Sequence, residues 1–299
     1  MPITILDMSE RAQVSEVLLN LNRFETFFKE SIKNKDRLNT NMIIINGAPG
    51  IGKTYLTNKW LKELEEENII DEDRRVSGKI SPITLYGFLN TEGKDNYNST
   101  VGRKQVDGSR VVCVLDDCDL YYSEDSLNIL KAAGDLLDNK KTNRVVTYGT
   151  RGVVHSFRFK GFIVLISNYS YYSSKSRHIS ALLDRALYCE LPLTKNDIYM
   201  YTLSLIEDEI NNNPIIYDEQ TTKFFMEFYE EYLKDFIKYD IFEKANVSFS
   251  IRYMKKLMDL VTIFNTGWKQ SSVEFKRMND ILDKVKSGTY VDPVTNLRK

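Results

Sequence analysis

The stretch GAPGIGKT, residues 47–54, places three glycines and a proline within eight residues and ends on a lysine and a threonine. Glycine and proline at this density make a poor helix and a poor strand, so the stretch is predicted to form a loop. It matches the pattern G-x-x-x-x-G-K-[ST], in which glycines let backbone N–H groups turn inward around phosphate oxygens. The stretch therefore predicts a loop that binds the phosphate groups of a nucleotide.

The segments on either side of this loop support that prediction. Residues 41–47, NMIIING, favour a short strand buried on both faces of a parallel sheet. Residues 54–67 have the pattern of an amphipathic helix, whose N-terminus adds a partial positive charge. Lys53 is predicted to neutralise the β- and γ-phosphates, and Thr54 to ligate Mg²⁺. The alternative is a glycine-rich turn without a ligand. The residues predicted to hold the nucleotide are Gly47, Pro49, Gly50, Ile51, Gly52, Lys53, Thr54 and Tyr55.

A second segment offers the metal partner that a phosphate site needs. Residues 107–119, DGSRVVCVLDDCD, contain an apolar run that ends on two aspartates. This run predicts a strand that delivers the aspartates at its carboxyl end, where open α/β sheets bind ligands. Asp116 is predicted to hold Mg²⁺ through its water shell, since magnesium dehydrates reluctantly. Asp117 is predicted to orient the attacking water as a general base. The alternative is an ordinary acidic turn.

The first two thirds of the chain alternate between strand and helix patterns. Residues 78–89 are predicted to form a strand that runs into a helix. Further strands are predicted within 161–168 and 185–191, and helices at 10–34 and 123–138. Strands that alternate with helices predict right-handed βαβ units around a parallel sheet. The fold class is therefore α/β.

After Pro192 the pattern changes. Residues 195–286 are helical almost throughout, and the aromatic residues of 224–239 are predicted to form the core of a small helical bundle rather than a binding surface. We therefore place a domain boundary near residue 192 and expect residues 287–299 to be a flexible tail.

Composition limits the class of protein. Apolar residues make up 42% of the chain, charged residues 28%, and the formal net charge is −1, which is typical of a globular protein without a global basic field. The N-terminus has no signal-peptide pattern, and no stretch approaches the roughly 18 apolar residues of a membrane helix. Cys113, Cys118 and Cys189 have no metal-ligand spacing and are expected to be free thiols. We therefore expect a cytoplasmic protein, in the host cytoplasm if it is viral, with no membrane partner.

The chain resembles the AAA+ ATPases over roughly residues 20–285, because a proline inside the glycine loop is typical of that family. The resemblance implies a P-loop NTPase sandwich over 1–192, including the N-terminal helix, and a small all-helical lid over 193–286. The implied cofactors are ATP and Mg²⁺. The family usually follows its magnesium aspartate with glutamate, whereas this chain has Asp117. The shorter side chain is expected to slow hydrolysis or to reposition the water.

The same resemblance gives roles to four further residues. Asn168, at the end of FIVLISN, looks like the sensor 1 residue that helps to hold the water. Arg185, in ALLDR, looks like the arginine finger that reaches a neighbouring subunit's ATP, with Arg177 as a rival candidate. Arg252, in SFSIRYMKK, looks like the sensor 2 residue of the lid. A finger that acts on a neighbour implies self-assembly into a ring or spiral, often of six subunits.

The segment TNRVVTYGTRGVVHSFRFKG, residues 142–161, is the candidate contact with a substrate. Its alternating pattern predicts a hairpin. Its basic residues, interleaved with aromatic ones, suit the phosphates and bases of single-stranded DNA. The alternative is a structural hairpin whose phenylalanines pack on the sheet. The possible DNA contacts are Arg144, Arg151, Arg158 and Lys160.

The target of the predicted ATPase is specified least well by the sequence. One hypothesis is an ATPase that drives remodelling, loading or translocation on DNA or a DNA-bound protein. The alternatives are a nucleotide-gated assembly switch or scaffold with slow turnover, and a protein-remodelling chaperone. The overall pattern, with residues 78–89 between the glycine loop and the acidic strand, resembles compact ATPases encoded by bacteriophages, and the Asn- and Lys-rich composition would suit an AT-rich genome. Both features favour a role in phage DNA replication, recombination or packaging.

Overall fold

The computed structural model describes residues 3–47, 49–90, 108–118, 120, 123–134, 144–150, 153–168, 177–191, 193–212, 218–247, 249–264 and 272–291. The chain divides into two compact units. Asn20–Ala48 and Gly52–Pro192 form the first, which we call the α/β unit. Met1–Leu19, Pro49–Ile51 and Leu193–Lys299 group into the second, which we call the helical unit.

The α/β unit is built on a parallel sheet, as the sequence predicts. Its strand order is β2-β3-β6-β1-β7, and every neighbouring pair is parallel. Strands β1, β3 and β6 are buried at every position, which is why they appear in the sequence as continuous apolar runs. The strands of this sheet are β1 (Met42–Asn46), β2 (Glu72–Ser77), β3 (Val111–Asp116), β6 (Phe162–Ser167) and β7 (Leu187–Glu190).

The second strand differs from the sequence prediction. The strand predicted at the start of residues 78–89 lies earlier in the chain, as β2, Glu72–Ser77. The helix that was predicted to follow it is present as α3, Pro82–Leu89. Strand β2 is an edge strand and reads EDRRVS, without an apolar run. Charged side chains are tolerated there because an edge strand pairs on one side alone.

Helices and a hairpin accompany the sheet. Residues 20–33 of α1 pack on α2 around Trp60, whose ring lies 5.4 Å from those of Phe24 and Phe28. The hairpin of β4 and β5 is antiparallel, as predicted for residues 142–161. The remaining elements of this unit are α1 (Met8–Lys33, shared with the helical unit), α2 (Lys53–Glu66), α4 (Glu124–Gly134), β4 (Val145–Thr150), β5 (Val153–Arg158) and α5 (Arg177–Leu183).

The regular elements described in the helical unit are all helices. Its core is aromatic, as the sequence predicts for 224–239: Phe225, Phe228, Tyr229 and Phe236 are buried together in one cluster. A π-helical turn, Tyr229–Leu233, joins two of the helices into one continuous stretch. The helices are α6 (Lys195–Asn212), α7 (Glu219–Phe228), α8 (Lys234–Lys238), α9 (Ile241–Lys244), α10 (Ile251–Phe264) and α11 (Val273–Lys286).

The N-terminal segment is fixed to this unit by a buried carboxylate. Glu207 of α6 accepts hydrogen bonds from the backbone N–H groups of Ile5, at 2.6 Å, and Leu6, at 3.2 Å. Arg11 forms an ion pair with the same carboxylate. Because Glu207 is buried, these three partners replace the water that its charge would otherwise need.

Candidate functional site

Three neighbouring strands bring predicted site residues to the carboxyl end of the parallel sheet. Strand β1 runs into Gly47, β3 ends on Asp116, and β6 ends just before Asn168. The register pairs Asn46 with Ser167 and Asp116 with Ile166, so these ends are level with one another. The glycine loop, the acidic pair and Asn168 therefore emerge side by side.

Lys53, the first residue of α2, is held in this cluster. Its ammonium donates hydrogen bonds to the Gly47 carbonyl oxygen at 2.8 Å and to Asn168 Oδ1 at 2.6 Å. The residue is only 6% exposed. Burial lowers the pKa of the Lys53 ammonium, and the negative charges of Asp117 and Asp116 oppose that shift. An anion bound beside this buried ammonium would likewise oppose the effect of burial and stabilise its charged form.

Thr54 faces the buried end of β3. Its hydroxyl donates to Asp116 Oδ1 at 3.1 Å. Burial raises the pKa of Asp116, the Thr54 hydrogen bond opposes that rise, and the charge of Asp117 adds to it. A hydroxyl and a carboxylate in contact are the oxygen donors that Mg²⁺ prefers, and a cation there would relieve the unfavourable burial of Asp116. The residues present therefore fit a magnesium ion.

Asp117 adopts an unusual backbone conformation. Its φ is 48°, in the left-handed region, which aspartate tolerates better than most residues. Its N–H still donates to the Ile166 carbonyl at 2.9 Å, so it remains anchored to β6. The carboxylate is exposed and accepts from Asn168 Nδ2 at 3.0 Å and 2.9 Å, one bond to each oxygen. Asp117 and Asn168 are thus a directly bonded pair.

The start of α2 is open to an anion. Gly52 is its N-cap with φ 87°, and no side chain among the described residues caps the helix. The first turn contains no acidic residue. The first N–H groups of a helix have no intrahelical partner, so they favour an anionic ligand at this end.

The remaining residues of the predicted loop differ in exposure. Ile51 is buried, whereas Tyr55 is 69% exposed and therefore available for contacts outside the helix. Gly50 has φ 79° and groups with the helical unit, where an added Cβ would lie 2.4 Å from Ser250 Cβ. No larger residue fits Gly50 in this conformation, since real Cβ atoms do not approach so closely.

Arg185 lies at the opposite end of the sheet, where the parallel strands β1 and β7 begin. It precedes the start of β7, and its carbonyl accepts from Thr40 Oγ1, just before β1 begins, at 2.5 Å. Strand β1 has five residues, so about 16 Å of strand separates this end from the loop. The guanidinium donates to the Ala181 carbonyl at 2.7 Å. Arg185 therefore does not belong to the Lys53 cluster of its own chain.

The other two predicted arginines lie on α5 and α10. Arg177 begins α5, but its side chain lies outside the described structure. Arg252 is exposed on α10 of the helical unit. Both roles therefore remain predictions.

The hairpin distributes its basic residues unevenly. Arg144 is only 7% exposed, so it is removed from the predicted set of DNA contacts, because a buried guanidinium cannot reach a strand. Arg158 and Lys160 are exposed, whereas Arg151 lies outside the described residues. Phe157 and Phe159 are buried, and the ring of Phe157 lies 4.9 Å from that of Tyr86 on α3. The phenylalanines pack as the structural alternative predicts, while the opposite face of the hairpin remains available.

One charged neighbour of the site was missed by sequence reasoning. Arg75, on the edge strand β2, exerts an electrostatic pull on Asp116 that opposes the rise in its pKa. Arg75 also donates to Asp73 at 3.1 Å. Its pairing position beside β3 becomes visible only when β2 is assigned to residues 72–77.

Comparisons with known proteins find a similar phage protein but no matching family model. The chain is similar to a phage protein. That protein is the uncharacterized 36.7 kDa protein of the nrdC-mobD intergenic region of Enterobacteria phage T4, with 28% identity over 243 residues, covering 78% of this chain and 67% of the phage protein.

Among the described helices, none has the length and apolar character required to span a bilayer.

Proposed function

We propose that this protein is an oligomeric, Mg²⁺-dependent ATPase of the AAA+ type. One observation carries the proposal: at the start of α2, Lys53 is hydrogen-bonded to Asn168, which follows the end of β6. Thr54 is hydrogen-bonded to Asp116, which ends the neighbouring strand β3. A lysine, a hydroxyl and a carboxylate at the uncapped start of a helix are the groups that bind a magnesium nucleoside triphosphate. The parallel sheet and the proline-containing loop agree with the resemblance to this family.

Each residue has a distinct part in the proposed reaction. The first N–H groups of α2 and the Lys53 ammonium hold the phosphates. Thr54 and the water shell of Asp116 hold Mg²⁺, whose other positions are completed by phosphate and water, since the described residues contain no group of three or more acidic, His or Cys ligands. Asp117 orients the water that attacks the terminal phosphate. The helical unit is proposed as the lid, with Arg252 as its sensor.

The proposal is tested by equilibrium binding of ADP and of a non-hydrolysable ATP analogue in Mg²⁺ buffer, together with phosphate release from ATP. We expect Lys53→Ala to weaken binding by about 100-fold, because it removes a charged hydrogen-bond donor from a buried site. The matched control is Lys62→Ala on the same helix, whose side chain is 76% exposed and should leave binding unchanged. Wild-type protein that binds neither nucleotide overturns the proposal.

A nucleotide-gated switch with slow turnover is the second candidate. The observation in its favour is that both oxygens of Asp117 accept hydrogen bonds from Asn168, so the proposed base is already occupied by a partner within the protein. Phosphate release measured against protein concentration, with and without single-stranded DNA, separates the two functions. Turnover that rises on assembly supports the ATPase, whereas tight binding with negligible turnover at every concentration supports the switch.

We propose DNA, or a DNA-bound protein, as the target on which the ATPase acts, with the exposed face of the hairpin as the contact. Arg158 is exposed there. The double variant Arg151→Ala/Arg158→Ala should weaken single-stranded DNA binding and flatten its salt dependence, while Arg277→Ala, an exposed arginine on α11, should not. Unchanged affinity makes the hairpin structural and favours the protein-remodelling alternative. The similarity to a phage protein supports a phage origin, and we propose a role in phage DNA replication, recombination or packaging.

A further inference from the structure

Asn168 connects the proposed phosphate-binding lysine to the proposed catalytic base. Its Oδ1 accepts from Lys53 at 2.6 Å, and its Nδ2 donates to both oxygens of Asp117 at 3.0 Å and 2.9 Å. One amide therefore spans the cation and the anion. All three side chains belong to the α/β unit.

Chemistry fixes the orientation of this amide. The Lys53 ammonium can only donate a hydrogen bond, and an ionised Asp117 carboxylate can only accept one. Rotating the amide by half a turn would place its NH₂ group against the ammonium and its oxygen against the carboxylate. The hydrogen bond from Lys53 and the two hydrogen bonds to Asp117 therefore favour the same orientation of the Asn168 amide.

A bound phosphate would compete with Asn168 for the Lys53 ammonium. Phosphate oxygens and Asn168 Oδ1 are acceptors for the same buried ammonium. If Lys53 turns toward phosphate, Oδ1 loses its donor and the amide loses the contact that orients it. The two bonds to Asp117 then weaken, and the carboxylate becomes available to accept a proton from water.

We propose that Asn168 is a positioning residue that competes with the nucleotide's terminal phosphate for Lys53 and releases Asp117 as a base once the phosphate has taken the lysine. This inference rests on the proposed function and adds a coupling between nucleotide binding and base activation. It differs from direct recognition of the phosphate by Asn168, because the two models predict opposite changes in affinity when the amide is removed.

The experiment compares Asn168→Ala with wild type in equilibrium binding of a non-hydrolysable ATP analogue with Mg²⁺ and in single-turnover phosphate release. Competition predicts tighter binding, by about three- to tenfold, because an ammonium has three donors and loses only one competitor. It also predicts phosphate release at least as fast as that of wild type, because the amide no longer occupies the Asp117 carboxylate. Equal or weaker binding by Asn168→Ala overturns the inference.

Two further variants keep the test decisive if the alanine variant does not fold. Asn168→Ser retains a polar group that is too short to bridge Lys53 and Asp117, and it should also bind more tightly. Asn168→Asp supplies a charged acceptor for Lys53 and should bind more weakly than wild type. A serine variant that binds no more tightly, or an aspartate variant that binds as tightly as wild type, overturns the inference.

The control is Asn22→Ala, an exposed asparagine on α1, which should leave both measurements unchanged. Thermal unfolding of every variant establishes that the compared proteins are folded. Wild-type protein that does not bind the analogue refutes the proposed function itself. Wild-type protein that binds it, with an alanine variant that gains no affinity, refutes the coupling alone.

Discussion

Thr54 Oγ1 lies 3.1 Å from Asp116 Oδ1, which joins the first turn of α2 to the buried end of β3. The hydroxyl hydrogen is directed to the carboxylate, so the two oxygens are held close together by one proton. A magnesium ion bound by the neutral hydroxyl oxygen, and by the carboxylate through a bound water, would find both groups already close together. The pair is therefore a preformed part of the proposed magnesium site.

Thr54→Ala should remove the magnesium-dependent part of nucleotide binding. We expect affinity in Mg²⁺ to fall by about tenfold or more, the scale of one contact to a charged group, with little change in EDTA. Thr54→Ser, which retains the hydroxyl, should behave as wild type. Isothermal titration calorimetry in both buffers measures the difference. Equal losses with and without the metal would show that Thr54 does not act through Mg²⁺.

Asp117→Asn should separate catalysis from folding. Asparagine tolerates the left-handed backbone at φ 48° but cannot accept a proton from water. We expect phosphate release to fall by about 100-fold or more, with nearly unchanged thermal stability. Asp117→Ala should also lose stability, by about 1 kcal/mol, because alanine is strained in that conformation. Turnover that survives in Asp117→Asn would exclude this residue as the base.

Gly50 should be coupled to Ser250 in stability. In Gly50→Ala the new Cβ lies 2.4 Å from Ser250 Cβ, whereas at Gly52 no atom lies within 4 Å of an added Cβ. Both glycines have positive φ, so Gly52→Ala should cost about 1 kcal/mol from backbone strain alone, and Gly50→Ala should cost more. In a Ser250→Gly background the cost of Gly50→Ala should fall toward that of Gly52→Ala. Urea unfolding of the four proteins in this double-mutant cycle measures the coupling, and additive costs would contradict the contact.

The sequence predicts the parts of the fold that are buried on both sides. Strands β1, β3 and β6 are apolar at nearly every position because the sheet covers them fully, and they carry the loop, the acidic pair and Asn168 to one edge. Strand β2 was misplaced because an edge strand of charged residues has no apolar signal, and Arg75 was missed with it.

The contacts within the site could not be read from the sequence. Spacing places Lys53 and Asn168 on the same sheet edge, but their 2.6 Å hydrogen bond depends on the register of β1 and β6, which lie more than a hundred residues apart in the chain. The burial of Arg144 likewise depends on how the base of the hairpin packs, and the alternating pattern carries no such information.

Glu65→Gln should stabilise the protein at neutral pH. Burial raises the pKa of Glu65, and the neighbouring Asp73 carboxylate adds to that rise, so ionised Glu65 is less favourable in the folded than in the unfolded protein. The ionised carboxylate therefore lowers the free energy of unfolding, and this destabilisation is fully present at a pH above the pKa of Glu65 in the folded protein. It disappears as the pH falls below the pKa of Glu65 in the unfolded protein. We therefore expect a gain of roughly 0.5 kcal/mol at pH 7 that vanishes near pH 4.

Urea unfolding of Glu65→Gln across this pH range measures the effect. Glutamine can still accept the hydrogen bond that Asp73 N–H donates to Glu65 Oε1 at 3.2 Å, so the substitution removes charge while keeping the contact. The matched control is Glu66→Gln on the same helix, whose side chain is 67% exposed and which should give no gain. A stabilisation of Glu65→Gln that grows as the pH falls would contradict the sign of this shift.

Arg185 should act on the ATP of a neighbouring subunit. Thr40 Oγ1 donates to the Arg185 carbonyl where β1 begins, whereas Lys53 lies beyond the end of that strand. The length of β1 therefore separates Arg185 from the nucleotide site of its own chain. Arg185→Ala should therefore abolish turnover while leaving nucleotide binding intact, because a finger contributes to the transition state rather than to the ground state. Arg185→Lys controls for charge alone, since lysine cannot provide the planar guanidinium.

Mixing two inactive variants separates a contribution to the neighbouring site from a structural role. Lys53→Ala lacks a working site but retains its arginine, and Arg185→Ala lacks the arginine but retains its site. In a randomly mixed ring about one quarter of the interfaces join a working site to an intact arginine, so turnover should recover to roughly that fraction of wild type. Arg185→Ala mixed with the double variant Lys53→Ala/Arg185→Ala should recover nothing. If the first mixture also stays inactive while both variants remain folded and assembled, the hydrogen bond from Arg185 to the Ala181 carbonyl is its function, and the arginine stabilises α5 rather than catalysing hydrolysis.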